Sequence, residues 1–235
     1  LWVHNLNSKS MSQFHIGINM GHDRSVAIVK NGEILIAIEQ ERLDRHKHSV
    51  GFMLQSPDAL NQIQIPEESV AYCLDALGIT MDDIATVTAN MPGVDHAPDI
   101  LKGRYAQAMA GKVRTIPSHH LAHAYSAFLP SGMDCALVLV ADASGSTFST
   151  DEGRFTESFT LYLGEGNTLT PIHSERVQSH LSALSTLGFV YEAVSRKAGF
   201  VTELNDGLRF PEAGKLMGLA AYGSDQENWF PWMTR

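Results

Sequence analysis

Short β-branched runs open the chain: HIGIN (15–19), SVAIVK (25–30) and, across Asn31-Gly32, EILIAIEQERL (33–43). Asn-Gly between two apolar runs is a strong hairpin signal, because both central residues must accept positive φ. The pattern predicts a three-stranded meander. DRHKHSVGF (44–52) has no periodicity and reads as a loop. Val70, Cys73, Leu74 and Leu77 then fall at i, i+3, i+4 and i+7, the face of a helix over 66–77 closed by Gly78. IATVTAN (84–90) reads as a strand, and 91–112 is ambiguous, with a helical stretch near ILKGRYAQAMA. VRTI (113–116) reads as a strand, and Pro117 and Ser118 open a helix HHLAHAYSAFL.

CALVLVA (135–141) is a continuous apolar run ending at Asp142, as expected of a strand buried on both faces. SFTLYLG (158–164) and LTPIHSERVQ (169–178) flank the turn EGN and predict a second meander. LSTLGFVYEAVSRKAG (184–199) reads as a helix with Gly199 at its end. One plan occurs twice, starting at 15 and at 135, as a repeat of order and punctuation. The expectation is an α/β chain of two lobes, 11–130 and 131–235. Each meander begins with an apolar strand that delivers an acidic residue into a glycine-containing turn: NMGHDRS (19–25) and ADASGSTFS (141–149). Small residues such as Gly145 and Ser146 let the backbone approach a phosphate, and successive N–H groups form an anion-binding concavity. Two such turns facing each other make a nucleotide cleft. Each taken alone is also an ordinary polar turn.

Composition narrows the partners. With 235 residues, 44% of them hydrophobic and 18% charged, the chain can bury one large α/β core or two lobes. No apolar run reaches the roughly 18–20 residues that cross a bilayer. Lys and Arg number 17 against 26 Asp and Glu, a net −9 that disfavours nucleic acid as the main partner. Cys73 and Cys135 sit in apolar runs and read as buried free thiols of a reducing compartment. Residues 1–10, LWVHNLNSKS, precede Met11 without the layout of a signal peptide; they are expected to be a leader outside the fold, with the cytoplasm as the location.

SHHLAHAYS carries the most chemistry. His119 and His123 lie at i and i+4 on a helix starting at Ser118, so their rings leave one face a turn apart. One helix supplies two imidazoles to one metal ion at that spacing. The plainer alternative makes His119 a capping residue and His123 a partly buried side chain. Two features favour the ligand reading. The pair follows a strand directly, where α/β proteins place sites, and Asp142 ends the next strand within reach of the same point. Two His and one carboxylate leave open positions on an ion. His120 points to another face.

Three stretches in this order, GINMGHDRSVAIVKNGEILIAIEQERLDRHKH, SHHLAHAYSAF and GKLMGLAAYG (214–223), resemble the N-terminal domain of the O-carbamoyltransferase family, which includes nodulation-factor, cephalosporin, aminoglycoside and ansamycin carbamoyltransferases. That domain is similar to the universal tRNA threonylcarbamoyl-transfer protein. The resemblance implies the two-lobe, ribonuclease H-like fold of the actin, sugar-kinase and heat-shock ATPases. It also implies two steps: a C-terminal domain makes carbamoyl-adenylate from carbamoyl phosphate and ATP, and this domain passes the carbamoyl group to a hydroxyl of a small natural product such as an antibiotic. By the family's pattern His119, His123 and Asp142 bind a divalent ion, iron first and zinc second. His22 and Asp23 match its Gly-His-Asp motif beside the transferred group, where the pair is the candidate base. Arg42, Lys47 and His48 match its ER…KH stretch, and Lys215 and Gly218 its K-x-M-G-L stretch, as contacts to the nucleotide; the plainer reading leaves Arg42, Lys47 and Lys215 as solvated charges and His22–Asp23 as turn stabilisers.

The resemblance further implies that the second lobe is incomplete and that the adenylate-forming domain is supplied in cis or by another chain. On its own the chain is then expected to be a poor catalyst, with apolar surface where further strands belong. A homodimer stays open. The competing functions are a tRNA-modifying transfer protein and a non-catalytic nucleotide-binding domain.

Overall fold

In the computed structural model, residues 13–50, 65–90, 104–178, 186–204 and 209–224 are described. The leader at 1–10 and parts of the stretches at 44–52, 91–112, 184–199 and 224–235 lie outside them. Strands β1 (Phe14–Asn19), β2 (Ser25–Lys30) and β3 (Glu33–Glu39) form the predicted antiparallel meander, with Asn31 and Gly32 at φ 55° and 81°. A short helix α1 (Glu41–Asp44) follows, then α2 (Glu67–Leu77) with Gly78 left-handed at its end, as predicted. Strand β4 (Ile84–Asn90) runs parallel to β1. After the single turn α3 (Ala106–Met109), β5 (Val113–Thr115) runs parallel to β4. The sheet order is β3-β2-β1-β4-β5.

One face of this sheet is the first core. Ile16, Ile18, Val26 and Ile28 alternate inward along β1 and β2 and meet Val70, Cys73 and Leu74 of α2. Each such buried aliphatic side chain contributes roughly 1.5–3 kcal/mol. Cys73 is buried there as expected, and burial pushes its thiol up to about 11. Gln40 anchors the helix start in place of a capping side chain: its Oε1 accepts from both the backbone N–H and the hydroxyl of Ser69.

The second sheet holds β6 (Cys135–Ala141), β7 (Thr147–Thr150), β8 (Gly153–Glu165) and β9 (Thr168–Gln178). The long β8 pairs antiparallel with β6 and β7 along one edge and with β9 along the other. The second meander is therefore present, with the hairpin β7–β8 added to it. Helix α4 (His119–Phe128) packs on this sheet through His120, Ala124 and Phe128, although its sequence position falls within 11–130. It lies so close that Gly145 and Gly164 are required beneath it. A Cβ at either would meet the His120 or Phe128 ring at 2.7 Å.

Two expectations are corrected here. Strand β6 is buried on one face only: Val138 and Val140 point into the core, while Leu137 and Leu139 are 66% and 59% exposed. Cys135 is on that open face and is exposed, not buried. A helix covers one side of β6, and no described element covers the other. Beyond the predicted helix, seen as α5 (Leu187–Lys197), come a hairpin β10 (Val201–Glu203) and β11 (Arg209–Pro211), and a helix α6 (Ala213–Ala220). The sequence pattern alone gives no sign of the hairpin. No helix among the described residues is long and apolar enough to cross a membrane.

Candidate functional site

The first turn of α4 builds the metal-type cluster. Ser118 caps the helix, its Oγ accepting from the N–H of Leu121. Residues 120, 124 and 128 form the buried stripe, so the adjacent stripe carries His119 and His123 to the open side. Asp142 follows β6, where its Oδ1 accepts from the N–H of Ala143 at 2.6 Å and its Oδ2 faces the imidazoles. His119 Nε2 is 3.0 Å from Asp142 Oδ2, His123 Nε2 is 3.9 Å from it, and the two Nε2 atoms are 2.9 Å apart. An ion bound at about 2.1 Å holds neighbouring ligand atoms about 3.0–3.4 Å apart; the two separations from His119 lie close to that range and the 3.9 Å between His123 and Asp142 is wider, so the three side chains could hold one divalent ion with a small inward movement of His123. His120 turns away and is buried with Nδ1 on Thr160 Oγ1, as expected.

Electrostatics prepare Asp142 and His123. Burial pushes the Asp142 carboxyl up. The hydrogen bond to His119, the N–H of Ala143 and the two imidazoles outweigh it and bring the group down to about 2. Burial and the neighbouring His119 lower the pKa of His123, which keeps a nitrogen lone pair available at neutral pH.

A second cluster forms at the mouth of the β1–β2 hairpin. Asn19 knits the turn: its Nδ2 donates to the carbonyls of His22 and Asp23, and its Oδ1 accepts from the N–H of Gly21. His22 Nδ1 is 2.5 Å from Asp23 Oδ2, and His48 Nδ1 is 2.8 Å from Asp23 Oδ1. Asp23 thus bridges two imidazoles, and Phe210 of β11 lies against both rings at 5.7 and 4.6 Å between centroids. The hydrogen bond to Asp23 raises the His22 pKa against the pull of burial; the charges of Asp23, Asp142 and Glu192 add to the rise. His22 and the Asp142 cluster therefore share one electrostatic environment. Burial raises the Asp23 carboxyl, but its two histidine partners bring it below the usual carboxylate range.

Lys47 and His48 are held by residues the sequence pattern does not single out. Arg24 grips the loop through Ser49, its Nε donating to the Ser49 carbonyl at 2.7 Å. Glu212, buried just before α6, accepts from Lys47 and Thr202 and lies 3.4 Å from His48 Nε2. Burial raises the Glu212 carboxyl, and these donors, Lys47 above all, outweigh it and hold it at about 2.

Of the other nominated residues, Arg42 and Gly218 stand apart from both clusters, while Lys215 and Ser146 touch their edges. Arg42 is exposed and pairs with Glu39 and Glu41. Lys215 is half-exposed, 3.7 Å from Glu212, and Gly218 faces open space on α6. The second turn directs its N–H groups inward. The N–H groups of Gly145 and Ser146 donate to the carbonyl and side chain of Glu157, and Ser146 Oγ accepts from the N–H of His119. Those groups serve the helix and are taken up within the chain.

The carbamoyltransferase N-terminus family profile matches residues 15–114 and 107–230. Among curated relatives, the uncharacterized protein sll1178 of Synechocystis sp. is 29% identical over 239 residues, covering 86% of this chain and 33% of that protein. The nodulation protein NolNO of Sinorhizobium fredii is 28% identical over 225 residues, covering 86% of this chain and 28% of that protein. The chain thus spans about a third of the length of these relatives. Among solved structures, component A of (R)-2-hydroxyglutaryl-CoA dehydratase from Acidaminococcus fermentans aligns at a TM-score of 0.47 with 14% identity, covering 92% of this chain and 61% of that one.

Proposed function

The chain belongs to the carbamoyltransferase N-terminus family, and from that premise we propose that it carries the transfer half of an ATP-dependent O-carbamoyltransferase. The donor in this reading is carbamoyl-adenylate, made from carbamoyl phosphate and ATP by a domain in cis or on another chain. The acceptor is a hydroxyl of a small natural product. The observation that carries the reading is the convergence of His119, His123 and Asp142, whose ligand atoms all lie within 4.8 Å of one another.

In this mechanism His119, His123 and Asp142 hold a divalent ion, iron or zinc, which supplies Lewis-acid polarisation of a poorly electrophilic carbamoyl carbonyl. Asp23 Oδ2 occupies Nδ1 of His22, leaving Nε2 to take the proton of the acceptor hydroxyl. The hydroxyl oxygen bonds to the carbamoyl carbon. The bond from that carbon to the phosphate oxygen breaks, and AMP leaves with the electron pair. Lys47, placed by Glu212, offers donors to the departing phosphate, while His48 steadies Asp23 through Nδ1. Arg42, Gly145, Ser146, Lys215 and Gly218 carry no step in this scheme.

The test is direct. Purified without chelators, the chain is expected to retain iron or zinc by mass spectrometry, and to lose it in His119→Ala and His123→Ala. Given carbamoyl-adenylate and a polyhydroxylated acceptor, it should release AMP faster than without the acceptor. His22→Ala should slow that release about 10²–10⁴-fold. A metal-free wild type, or acceptor-dependent release unchanged in His22→Ala, overturns the reading.

A further inference from the structure

The two halves of the metal-type cluster come from different elements: His119 and His123 from a helix, Asp142 from the turn after β6. Something must hold helix and turn in register to a fraction of an ångström, because a ligand set that slides loses its ion. Glu157, in the middle of β8 and 4% exposed, touches both. Its Oε1 accepts from the hydroxyl of Ser118, the residue that caps the helix, at 2.8 Å. Its Oε2 accepts from the N–H of Ser146, in the turn that begins at Asp142, at 3.0 Å. Its own backbone pairs with the same turn, the carbonyl accepting from Gly145 N–H and the N–H donating to the carbonyl of Ser146. Ser146 closes the circuit: its Oγ accepts from the N–H of His119, the first ligand itself, at 2.9 Å.

We propose that Glu157 is a positioning residue for the metal centre, a buried carboxyl that spans the cap of the histidine helix and the turn of Asp142 and so fixes the spacing of the three ligands. The inference rests on the reading of His119, His123 and Asp142 as a metal site. Glu157 touches none of the ligand atoms. It acts through the serines on either side, and partners of this kind typically change metal affinity 10–100-fold when removed. A single carboxyl spans the gap because it presents two acceptor oxygens to two donors. Glutamine has the same shape but turns a donor toward one of them, so Glu157→Gln breaks one tie and leaves the packing volume unchanged.

The experiment is titration of the metal-free chain with cobalt(II), read by the visible d–d spectrum and by competition with a chelator of known affinity. The wild type is expected to give a bound-cobalt spectrum. Folded Glu157→Gln should bind about 10–100-fold more weakly, with the d–d bands shifted in position or intensity. An isostere that changed stability alone would move the melting temperature and leave spectrum and affinity in place. If Glu157→Gln does not fold, Ser146→Ala asks the same question from the far end of the circuit, by removing the acceptor for the His119 N–H. A folded variant with unaltered affinity and spectrum overturns the positioning role and leaves the metal reading intact. A wild type that takes up no cobalt overturns the metal reading, and this inference with it.

Discussion

Asp23, His48 and Ser49 are non-glycine residues at φ 54°, 64° and 32°, and all three sit where His22 is held. Left-handed backbone costs such residues about 1–2 kcal/mol each, so their neighbours must fix them in place. Backbone hydrogen bonds do this: the N–H of Asp23 donates to the His48 carbonyl at 2.6 Å, and the N–H of His48 donates to Glu41 Oε2 at 2.9 Å. The strain aims Asp23 at two imidazoles together. In the metal-free chain, NMR titration should place the His22 midpoint above 6.5, and Asp23→Asn should bring it down, since the hydrogen bond to Asp23 is the largest cause of the rise. A histidine raised on folding stabilises the fold below its unfolded value and ceases to do so as pH climbs through the folded one. The base form follows the opposite course, so acceptor-dependent AMP release should increase through that midpoint. A midpoint at or below 6.5 in the wild type would remove Asp23 from its role.

Elements meet most tightly where α4 crosses the turn after β6. Gly145→Ala would put a Cβ 2.7 Å from the His120 ring and 2.8 Å from Glu157 Cβ, closer than real side chains approach. Urea denaturation should show a loss of about 1–3 kcal/mol, with cobalt binding weakened alongside, because the intruding methyl pries the helix from the turn. The elements that period and punctuation predict are those set by local chemistry. Asn31-Gly32, the stripe from Val70 to Leu77, and Ser118 before two histidines a turn apart all act within a few residues. Burial of β6 was not legible, because a run of apolar residues does not say how many neighbours a strand will have. Strands β7, β10 and β11 are three or four residues long, too short to show a period. At the site, His119, His123 and Asp142 were readable from spacing and a strand end. Glu157 and Glu212 were not, since their partners lie 39 and 165 positions away along the chain.

Across the molecule, carboxyls tie separate elements together: Asp142 the strand end to the histidine helix, and Glu212 the loop at Lys47 to the closing hairpin. Asp142 and Glu212 are both held near 2, against ordinary values of 3.8 and 4.5. As pH falls the unfolded chain takes up these protons first, so the stability they contribute is complete above about 4.5 and drains away toward 2. Melting temperature should therefore drop through that window, and Glu212→Gln should drop less, having no carboxyl there to protonate. An equal slope in both would show that Glu212 is not a source of the acid sensitivity. The tie from Glu212 to Lys47 has a kinetic side as well. Contacts between distant positions form late, after the short-range structure that brings them together. The meander, the histidine helix and the backbone of the loop at Lys47 can organise from residues made early, whereas the Lys47 ammonium gains its carboxylate partner only after Glu212 has been made.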